Sequence, residues 1–186
     1  MNMIENGLNN LWATPIYKSH IEYPDEIISY LLSTHTNPSF TKSLNVIGKN
    51  IFDDVNLKSF KETHIIPKFY EYCKPYFDLY DKHFDIKGWL GGYSAGYSMP
   101  KHNHSGSQIN GIFYLLVDDK GGDLILHDPR TNANRGYKDE LLSMFKSITF
   151  KPKTNDVIIF PSFLYHNVEM YKGSIRLALP VDLIIY

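Results

Sequence analysis

The sequence predicts a mainly β protein, a sandwich or barrel of short strands with α-helices flanking its N-terminal side. Residues 87–186 consist of short apolar runs separated by turn residues, at the spacing typical of all-β domains. Residues 1–86 instead contain two stretches in which apolar side chains recur at helical spacing. The chain also has 14 Tyr and 11 Phe, and aromatic residues favour half-buried sheet surfaces.

Length and charge bound the kind of protein. A chain of 186 residues is long enough for one domain with a sizeable core, so we expect a single domain over 1–186 in which 1–86 supports 87–186. Its 19 basic and 20 acidic side chains nearly cancel, which argues against broad attraction to nucleic acid or to an anionic membrane. No apolar run has the length of a membrane span.

Cysteine content and the N-terminus indicate the compartment. Cys73 is the single cysteine and cannot form an internal disulfide. The opening residues "MNMIENGLNN" lack the basic start and apolar core of a signal peptide. We therefore expect a cytoplasmic protein.

The N-terminal part predicts one strand and two helices. "LWATPIYKSHIE" (11–22) predicts a short strand, and its proline favours a sheet edge because proline cannot donate to the ladder. "YPDEIISYLLSTHT" (23–36) has acidic residues at its start and apolar residues at helical spacing. Residues 56–84 repeat the helical pattern, and we expect their two prolines to break or kink that helix.

The C-terminal part predicts the sheets. Its apolar runs are 87–98, 109–128, 147–163, 165–170 and 174–186. Asp118–Gly122 predicts a hairpin turn, and Lys153–Asp156 predicts another turn. Residues 129–147 are too long and polar for a hairpin turn, so they form either a substrate-contacting lid or a surface loop.

Three histidines and one arginine are the candidate functional residues. In "MPKHNHSGSQINGIFYLL", His102 and His104 are two residues apart, a spacing that on a strand directs both side chains to one face. Two imidazoles on one face suit a divalent transition metal, although ordinary strand histidines have the same spacing. His166 follows an apolar strand and a loop and opens the next strand.

Arg176 lies inside an apolar run with no acidic residue within three positions. A buried guanidinium keeps its charge and needs an anion. The partner is a ligand carboxylate, which Arg binds bidentately, or a distant Asp; an exposed strand-edge position is the third possibility.

The order of these segments resembles the iron(II)- and 2-oxoglutarate-dependent oxygenases, in particular the prolyl-4-hydroxylase-like branch and its small bacterial and phage relatives. "YSAGYSMPKHNH" is similar to the family's Tyr-x-x-Gly and H-x-D motifs, and "GIFYLLVDDKGGDLIL" to its Tyr-Leu strand and Gly-Gly pair. "KPKTNDVIIFPS" is similar to the strand that leads to the second ligand segment of the family. "YHNVEMYKGSIRL" resembles the family's distal histidine followed by a glycine and the oxoglutarate-binding arginine. The resemblance covers about residues 89–183. A phage-encoded member would act in the host cytoplasm.

The resemblance implies a double-stranded β-helix, a cupin-like jelly roll, with iron(II) and 2-oxoglutarate as cofactors and O2 as co-substrate. His102, His104 and His166 would hold the metal. Arg176 would bind the distal carboxylate of 2-oxoglutarate, with Tyr114 donating a hydrogen bond to it and Tyr93 lining the pocket. The implied reaction hydroxylates a small-molecule or peptidyl substrate and releases succinate and CO2.

The sequence departs from the family pattern at His104, where a carboxylate usually completes the metal triad. Asp128, in "LILHDPR", is an alternative source of that carboxylate. A second departure is Asp123-Leu124 after the Gly-Gly pair, where many relatives have an acidic residue and threonine.

Two other functions fit the same residues. One is a cupin-like three-histidine metalloprotein that works without 2-oxoglutarate, in which Arg176 binds a substrate carboxylate. The other is a non-catalytic β-sandwich binding module.

Overall fold

The fold is described from a computed structural model of the chain. The structure describes residues 13–35, 49–130, 136, 138 and 147–186. In this part of the chain, helices pack on one face of a six-stranded antiparallel sheet, and a four-stranded antiparallel sheet packs on its other face. This arrangement is the predicted double-stranded β-helix with flanking N-terminal helices.

The first elements agree with the sequence patterns. Strand β1 (Tyr17–His20) lies at the edge of the larger sheet, where it pairs with a single neighbour. Helix α1 (Asp25–Thr34) follows Pro24, and its first turn carries Asp25 and Glu26, whose charges are favourable near the helix N-terminus. The edge strand and the first helix are therefore confirmed.

The second helical stretch is shorter than predicted. It consists of α2 (Lys58–Phe60), one wide π turn (Lys61–Ile65) and α3 (Ile66–Cys73). Pro67 has no N–H to donate four residues back, and the wide turn ends two residues before it. The helix ends before Pro75, so the expected break at the prolines is confirmed, although the helical pattern does not continue to residue 84. Short 3₁₀ turns flank the stretch at Ile51–Asp53, Val55–Leu57 and Leu79–Asp81.

The larger sheet has the strand order β1-β8-β5-β10-β2, and β3 also pairs with β10. Its further strands are β2 (Phe84–Gly88), β3 (Gly91–Tyr93), β5 (Ile109–Leu116), β8 (Asp156–Pro161) and β10 (Arg176–Ile185). The smaller sheet has the order β4-β9-β6-β7. Its strands are β4 (Met99–His102), β6 (Leu124–Leu126), β7 (Ile148–Phe150) and β9 (His166–Val168).

Strand β5 is buried on both faces because it lies between two apolar clusters. Phe113 and Leu115 face the helices, where the rings of Phe113 and Phe69 lie 6.1 Å apart between centroids. Ile112 and Tyr114 face the smaller sheet and belong to the second cluster. The strand alternation thus supplies a helix-facing core and a sheet-facing core from one segment.

The predicted hairpin at Asp118–Gly122 is wrong. The strands that this turn joins, β5 and β6, lie in different sheets, so the turn carries the chain across the sandwich. Gly121 and Gly122 have φ of 86° and 77°, values that a residue with a Cβ rarely adopts. The turn at Lys153–Asp156 is confirmed, with Asn155 at φ 73°, and returns the chain from β7 to β8.

The segment 129–147 joins β6 to β7, two paired strands of the smaller sheet. Most of it lies outside the described residues, and so does any test of a lid there. Among the residues that the structure describes, no helix has the length and apolar character needed to cross a membrane.

Phe113→Ala is expected to destabilise the fold by about 3–5 kcal/mol, because the fully buried ring leaves a cavity between the helices and the sheet. The measurement is the free energy of unfolding from urea titration. Phe163→Ala removes a ring that is 56% exposed and should change that free energy by about 0.5 kcal/mol or less. Equal effects of the two substitutions would contradict this layering.

Candidate metal centre and cofactor pocket

Three histidines converge at one end of the smaller sheet. One ring nitrogen from each of His102, His104 and His166 can be chosen so that all three lie within 4.8 Å of one another. His102 ends β4 and stands opposite His166, which begins β9, and their ring centroids are 4.3 Å apart. Within the described residues this is the one group of histidine, cysteine or carboxylate side chains with such spacing.

His104 reaches the group in a different way from the one predicted. Strand β4 ends at His102, so His104 lies in the following turn and not on the strand. Its backbone N–H donates to the carbonyl of Ser162, at 3.0 Å, which ties the turn to the end of β8. The convergence of the two rings therefore depends on this turn contact in addition to the H-x-H spacing.

Each histidine ring has one nitrogen hydrogen-bonded to an oxygen. The Nδ1 atom of His102 lies 2.8 Å from the Pro100 carbonyl, and that of His166 lies 3.0 Å from the Leu164 carbonyl. The Nδ1 of His104 lies 2.8 Å from a carboxylate oxygen of Asp182. A carbonyl only accepts, so the Nδ1 of His102 and that of His166 carry the proton and their Nε2 atoms keep the lone pair for a metal. The Nδ1 of His104 also lies 3.1 Å from the Asn110 amide nitrogen, but the Asp182 carboxylate is closer and charged, which favours the proton on Nδ1 there as well.

His166 is held in the form that binds metals. Burial is the main cause that lowers its pKa to about 4, and the nearby rings of His102 and His104 act in the same direction. The hydrogen bond from Nδ1 to the Leu164 carbonyl acts in the opposite direction but is smaller. The ring is consequently neutral at physiological pH, as a metal ligand must be.

Arg176 is a buried cation without a carboxylate partner. It is the first residue of β10 and is 1% exposed. Its Nη1 donates to the carbonyl of Gly122, while its Nε has no hydrogen-bond partner. No Asp or Glu among the described residues forms an ion pair with it. Such a guanidinium requires an anion, because an unpaired charge is costly to bury.

Gly122 makes room for this arginine. A Cβ at this position would overlap the Arg176 Nη1 atom, and the backbone there also has positive φ. The second glycine of the Gly-Gly pair therefore serves two needs, the crossover turn and the approach of the guanidinium.

Two tyrosines flank Arg176. The Arg176 guanidinium carbon lies 5.1 Å from the ring centroid of Tyr114 and 5.9 Å from that of Tyr93. Within the described residues, the buried hydroxyl of Tyr114 makes no hydrogen bond of normal geometry. Burial raises the pKa of Tyr114 to about 12, although the neighbouring Arg176 acts to lower it, and that of Tyr93 is also raised by burial, so both hydroxyls stay protonated. The Tyr114 hydroxyl and Arg176 Nε are thus two unpaired buried donors, as an anionic ligand requires.

The histidines, Arg176 and both tyrosines line one cavity between the sheets. Its remaining lining is largely apolar and consists of Trp89, Met99, Asn110, Ile112, Val168, Ala178 and Pro180. A cavity with metal-binding nitrogens and a guanidinium suits a small ligand that bridges a metal and a cation, such as a dicarboxylate. The residues present therefore fit both iron(II) and 2-oxoglutarate.

Sequence reasoning missed two side chains behind His104. Asp182 accepts hydrogen bonds from His104 Nδ1 and from Asn110 Nδ2, each at 2.8 Å. Asn110 and Asp182 stand opposite each other in the β5–β10 register. Because side chains alternate along a strand, residue 182 lies on the same face of β10 as Arg176. An aspartate at that position was the sequence signal that could have placed it in the pocket.

Asp128 does not join the three-histidine group. Its Oδ1 accepts a hydrogen bond from Arg130 Nε at 2.9 Å, and this contact is the main cause that lowers the pKa of Asp128. The carboxylate near the histidines is Asp182, and it contacts a ring nitrogen of His104.

Comparison with known proteins identifies a family. The model described as "Putative 2OG-Fe(II) oxygenase" matches residues 87–182. No curated protein matches the sequence.

Solved structures of low sequence identity share the fold. A Pseudomonas putida prolyl-4-hydroxylase is 14% identical with a TM-score of 0.55, and the match covers 94% of each chain. A Trichoplax adhaerens prolyl hydroxylase, solved with a hypoxia inducible factor peptide fragment, is 15% identical with a TM-score of 0.58 over 86% of this chain and 75% of that one. The alpha ketoglutarate dependent epimerase SnoN of nogalamycin biosynthesis is 11% identical with a TM-score of 0.59 over 91% of this chain and 78% of its own.

These neighbours support the double-stranded β-helix, and the family model spans all three histidines, both tyrosines and Arg176. Because that match extends over just over half of the chain, the chain belongs to the 2OG-Fe(II) oxygenase family.

Proposed function

We propose that this iron(II)- and 2-oxoglutarate-dependent dioxygenase hydroxylates its substrate at a centre held by His102, His104 and His166. The observation that carries the proposal is the presence in one cavity of three histidines with available Nε2 atoms and a buried arginine that has no carboxylate partner in the described part of the chain. Iron(II) and 2-oxoglutarate, when bound, supply the activation of O2 and the oxidative decarboxylation that yields succinate and CO2.

Arg176 and Tyr114 are the proposed binding groups for the distal carboxylate of 2-oxoglutarate. Arg176 Nε and the Tyr114 hydroxyl are buried donors that a carboxylate would satisfy. Tyr93 stands opposite Arg176 in the β3–β10 register and closes the pocket with its ring. Its raised pKa keeps its hydroxyl neutral beside the incoming anion.

The protein's contribution is orientation and exclusion of water. The carbonyl partners of His102 and His166 fix the direction of their rings, so little reorganisation is needed when the metal binds. Ile112, Val168 and Ala178 supply apolar surface between the histidines and Arg176. This surface keeps water away from the reactive centre.

The substrate is proposed to be a small molecule or a peptidyl group with a neutral, largely apolar reacting part. Trp89, Met99 and Pro180 line the same cavity and offer no charge to a substrate. The Trichoplax adhaerens neighbour was solved with a peptide, which agrees with a peptidyl substrate as one alternative. The single cysteine and the use of iron(II) favour a reducing compartment, and we propose a cytoplasmic location.

His166→Ala is expected to abolish metal binding, because it removes the most buried of the three imidazoles. The measurement is the Co(II) or Fe(II) stoichiometry of the purified protein, with about one ion per chain expected for the wild type. His127→Ala is the matched control, since His127 belongs to the same sheet region but bonds Asn167 and Ser147 outside the group. Unchanged stoichiometry in His166→Ala would contradict the proposed centre.

Arg176→Met is expected to weaken 2-oxoglutarate binding by about 100-fold or more and to abolish succinate release. Hydrogen bonds to charged groups contribute about 1.5–3 kcal/mol each, and the substitution removes the one arginine or lysine among the described residues that line the cavity. Metal binding should remain, because Arg176 is not a member of the three-histidine group. The measurements are calorimetric titration of the metal-loaded protein with 2-oxoglutarate and an assay for succinate.

Arg130→Met is the control for charge, since Arg130 pairs with Asp128 and does not line the cavity. Gly122→Ala should reproduce the loss by displacing the guanidinium, whereas Gly96→Ala has the same backbone strain with open space around it. Retention of oxoglutarate-dependent turnover in Arg176→Met would exclude this assignment of the arginine.

A further inference from the structure

Among the residues that the structure describes, no carboxylate joins the three histidines to supply the negative charge of the common facial triad. His102, His104 and His166 are neutral as ligands, so the proposed site would hold a divalent cation without any formal anionic side chain in direct contact. The inference below rests on the proposed function of these histidines and concerns where the missing charge is supplied.

Asp182 is the carboxylate that contacts one of the three histidines, His104. Its Oδ1 lies 2.8 Å from His104 Nδ1, and the side chains of His104 and Asp182 are only 8% and 19% exposed. The other two histidines differ, because their Nδ1 atoms face neutral backbone carbonyls. The histidine that contacts a carboxylate is therefore His104, which occupies the position of the aspartate in the H-x-D motif.

Asn110 fixes the position of this carboxylate. It is fully buried, and its Nδ2 donates to Asp182 Oδ1 at 2.8 Å and to the Val181 carbonyl at 3.2 Å. The same Nδ2 lies 3.1 Å from His104 Nδ1, so the amide, the carboxylate and the imidazole form one cluster. No lysine or arginine of the described chain lies within ion-pair distance of Asp182. Its negative charge is thus oriented by a neutral amide and left uncompensated by a basic side chain.

The His104 ring is also held from its face. The indole of Trp89 stacks on it with ring centroids 5.5 Å apart and an interplanar angle of 20°. The backbone N–H of His104 is tied to Ser162. Because Nδ1 is hydrogen-bonded to Asp182, Nε2 is the ring nitrogen that is left to bind a metal.

We propose that Asp182 is a positioning residue of the metal centre that acts through His104. Its carboxylate accepts the Nδ1 proton of His104 in a hydrogen bond, fixes the tautomer with Nε2 free, and makes that nitrogen a stronger donor to the metal. The negative charge that a ligand carboxylate supplies in the common triad is here supplied by Asp182, the hydrogen-bond partner of the ligand His104.

The test is Co(II) affinity, measured by competition with a chromophoric chelator, in Asp182→Asn and Asp182→Ala. Asparagine keeps an oxygen for both donors but loses the charge, so affinity should fall about 10-fold; alanine loses the hydrogen bond as well and should approach a 100-fold loss. Asp54→Asn is the matched control, because Asp54 also contacts a histidine, His35, at 3.0 Å, but outside the cavity. Circular dichroism checks that each variant is folded.

A second background separates action through His104 from simple electrostatic attraction across space. In His104→Asp the common triad is restored and the imidazole link to Asp182 is removed. Asp182→Asn should then leave Co(II) affinity unchanged, because no imidazole links residue 182 to the metal. A 10-fold loss in this background as well would overturn action through His104.

The two proposals fail in different ways. Wild-type affinity in both Asp182 variants would overturn the role of Asp182 and leave the three-histidine centre standing. Absence of Co(II) binding by the wild-type protein would overturn the centre itself, and this inference with it.

Discussion

The antiparallel pairing of β5 with β10 is the constraint on which the pocket depends. This register sets Asn110 opposite Asp182 and Tyr114 opposite Ala178. Because side chains alternate along a strand, one face of β10 carries both Arg176 at its start and Asp182 six residues later. The two ends of the pocket are therefore linked through a single strand pair, and a slip of one residue would turn both side chains away from it.

The metal half depends on the second sheet. Pairing of β4 with β9 brings His102 against His166, and the turn after β4 adds His104. The two halves meet because the chain crosses between the sheets at Gly121–Gly122 and again near Asn155. Gly122 has a role in both halves, because it allows the chain to turn between the sheets and its carbonyl accepts a hydrogen bond from Arg176.

Local pattern was sufficient for residues whose chemistry is conspicuous in the sequence. The H-x-H pair, the isolated His166 and an arginine in an apolar run were recognisable without a structure, and so were the edge strand and the first helix. Local pattern failed where one signal serves two structures. The Asp118–Gly122 turn has the composition of a hairpin but crosses between sheets, because the partner of β5 is chosen by distant strands.

Contacts between residues far apart in the chain could not be predicted from the sequence either. Asp182 meets His104 across 78 positions, and no spacing rule relates them. The carboxylate near the metal centre could not be identified from the sequence for the same reason. Asp128, the candidate in the sequence, pairs with Arg130. Asp182 instead reaches His104 through a hydrogen bond that depends on the β5–β10 register.

The central claim is that metal and 2-oxoglutarate bind together in one cavity, the metal at the histidines and the distal carboxylate at Arg176. Anaerobic visible spectroscopy of the purified protein tests it most directly. We predict a weak charge-transfer band that requires both iron(II) and 2-oxoglutarate, because only joint chelation creates it. Bound iron with a spectrum that 2-oxoglutarate leaves unchanged would contradict the account and would indicate a three-histidine metalloprotein that works without this cofactor.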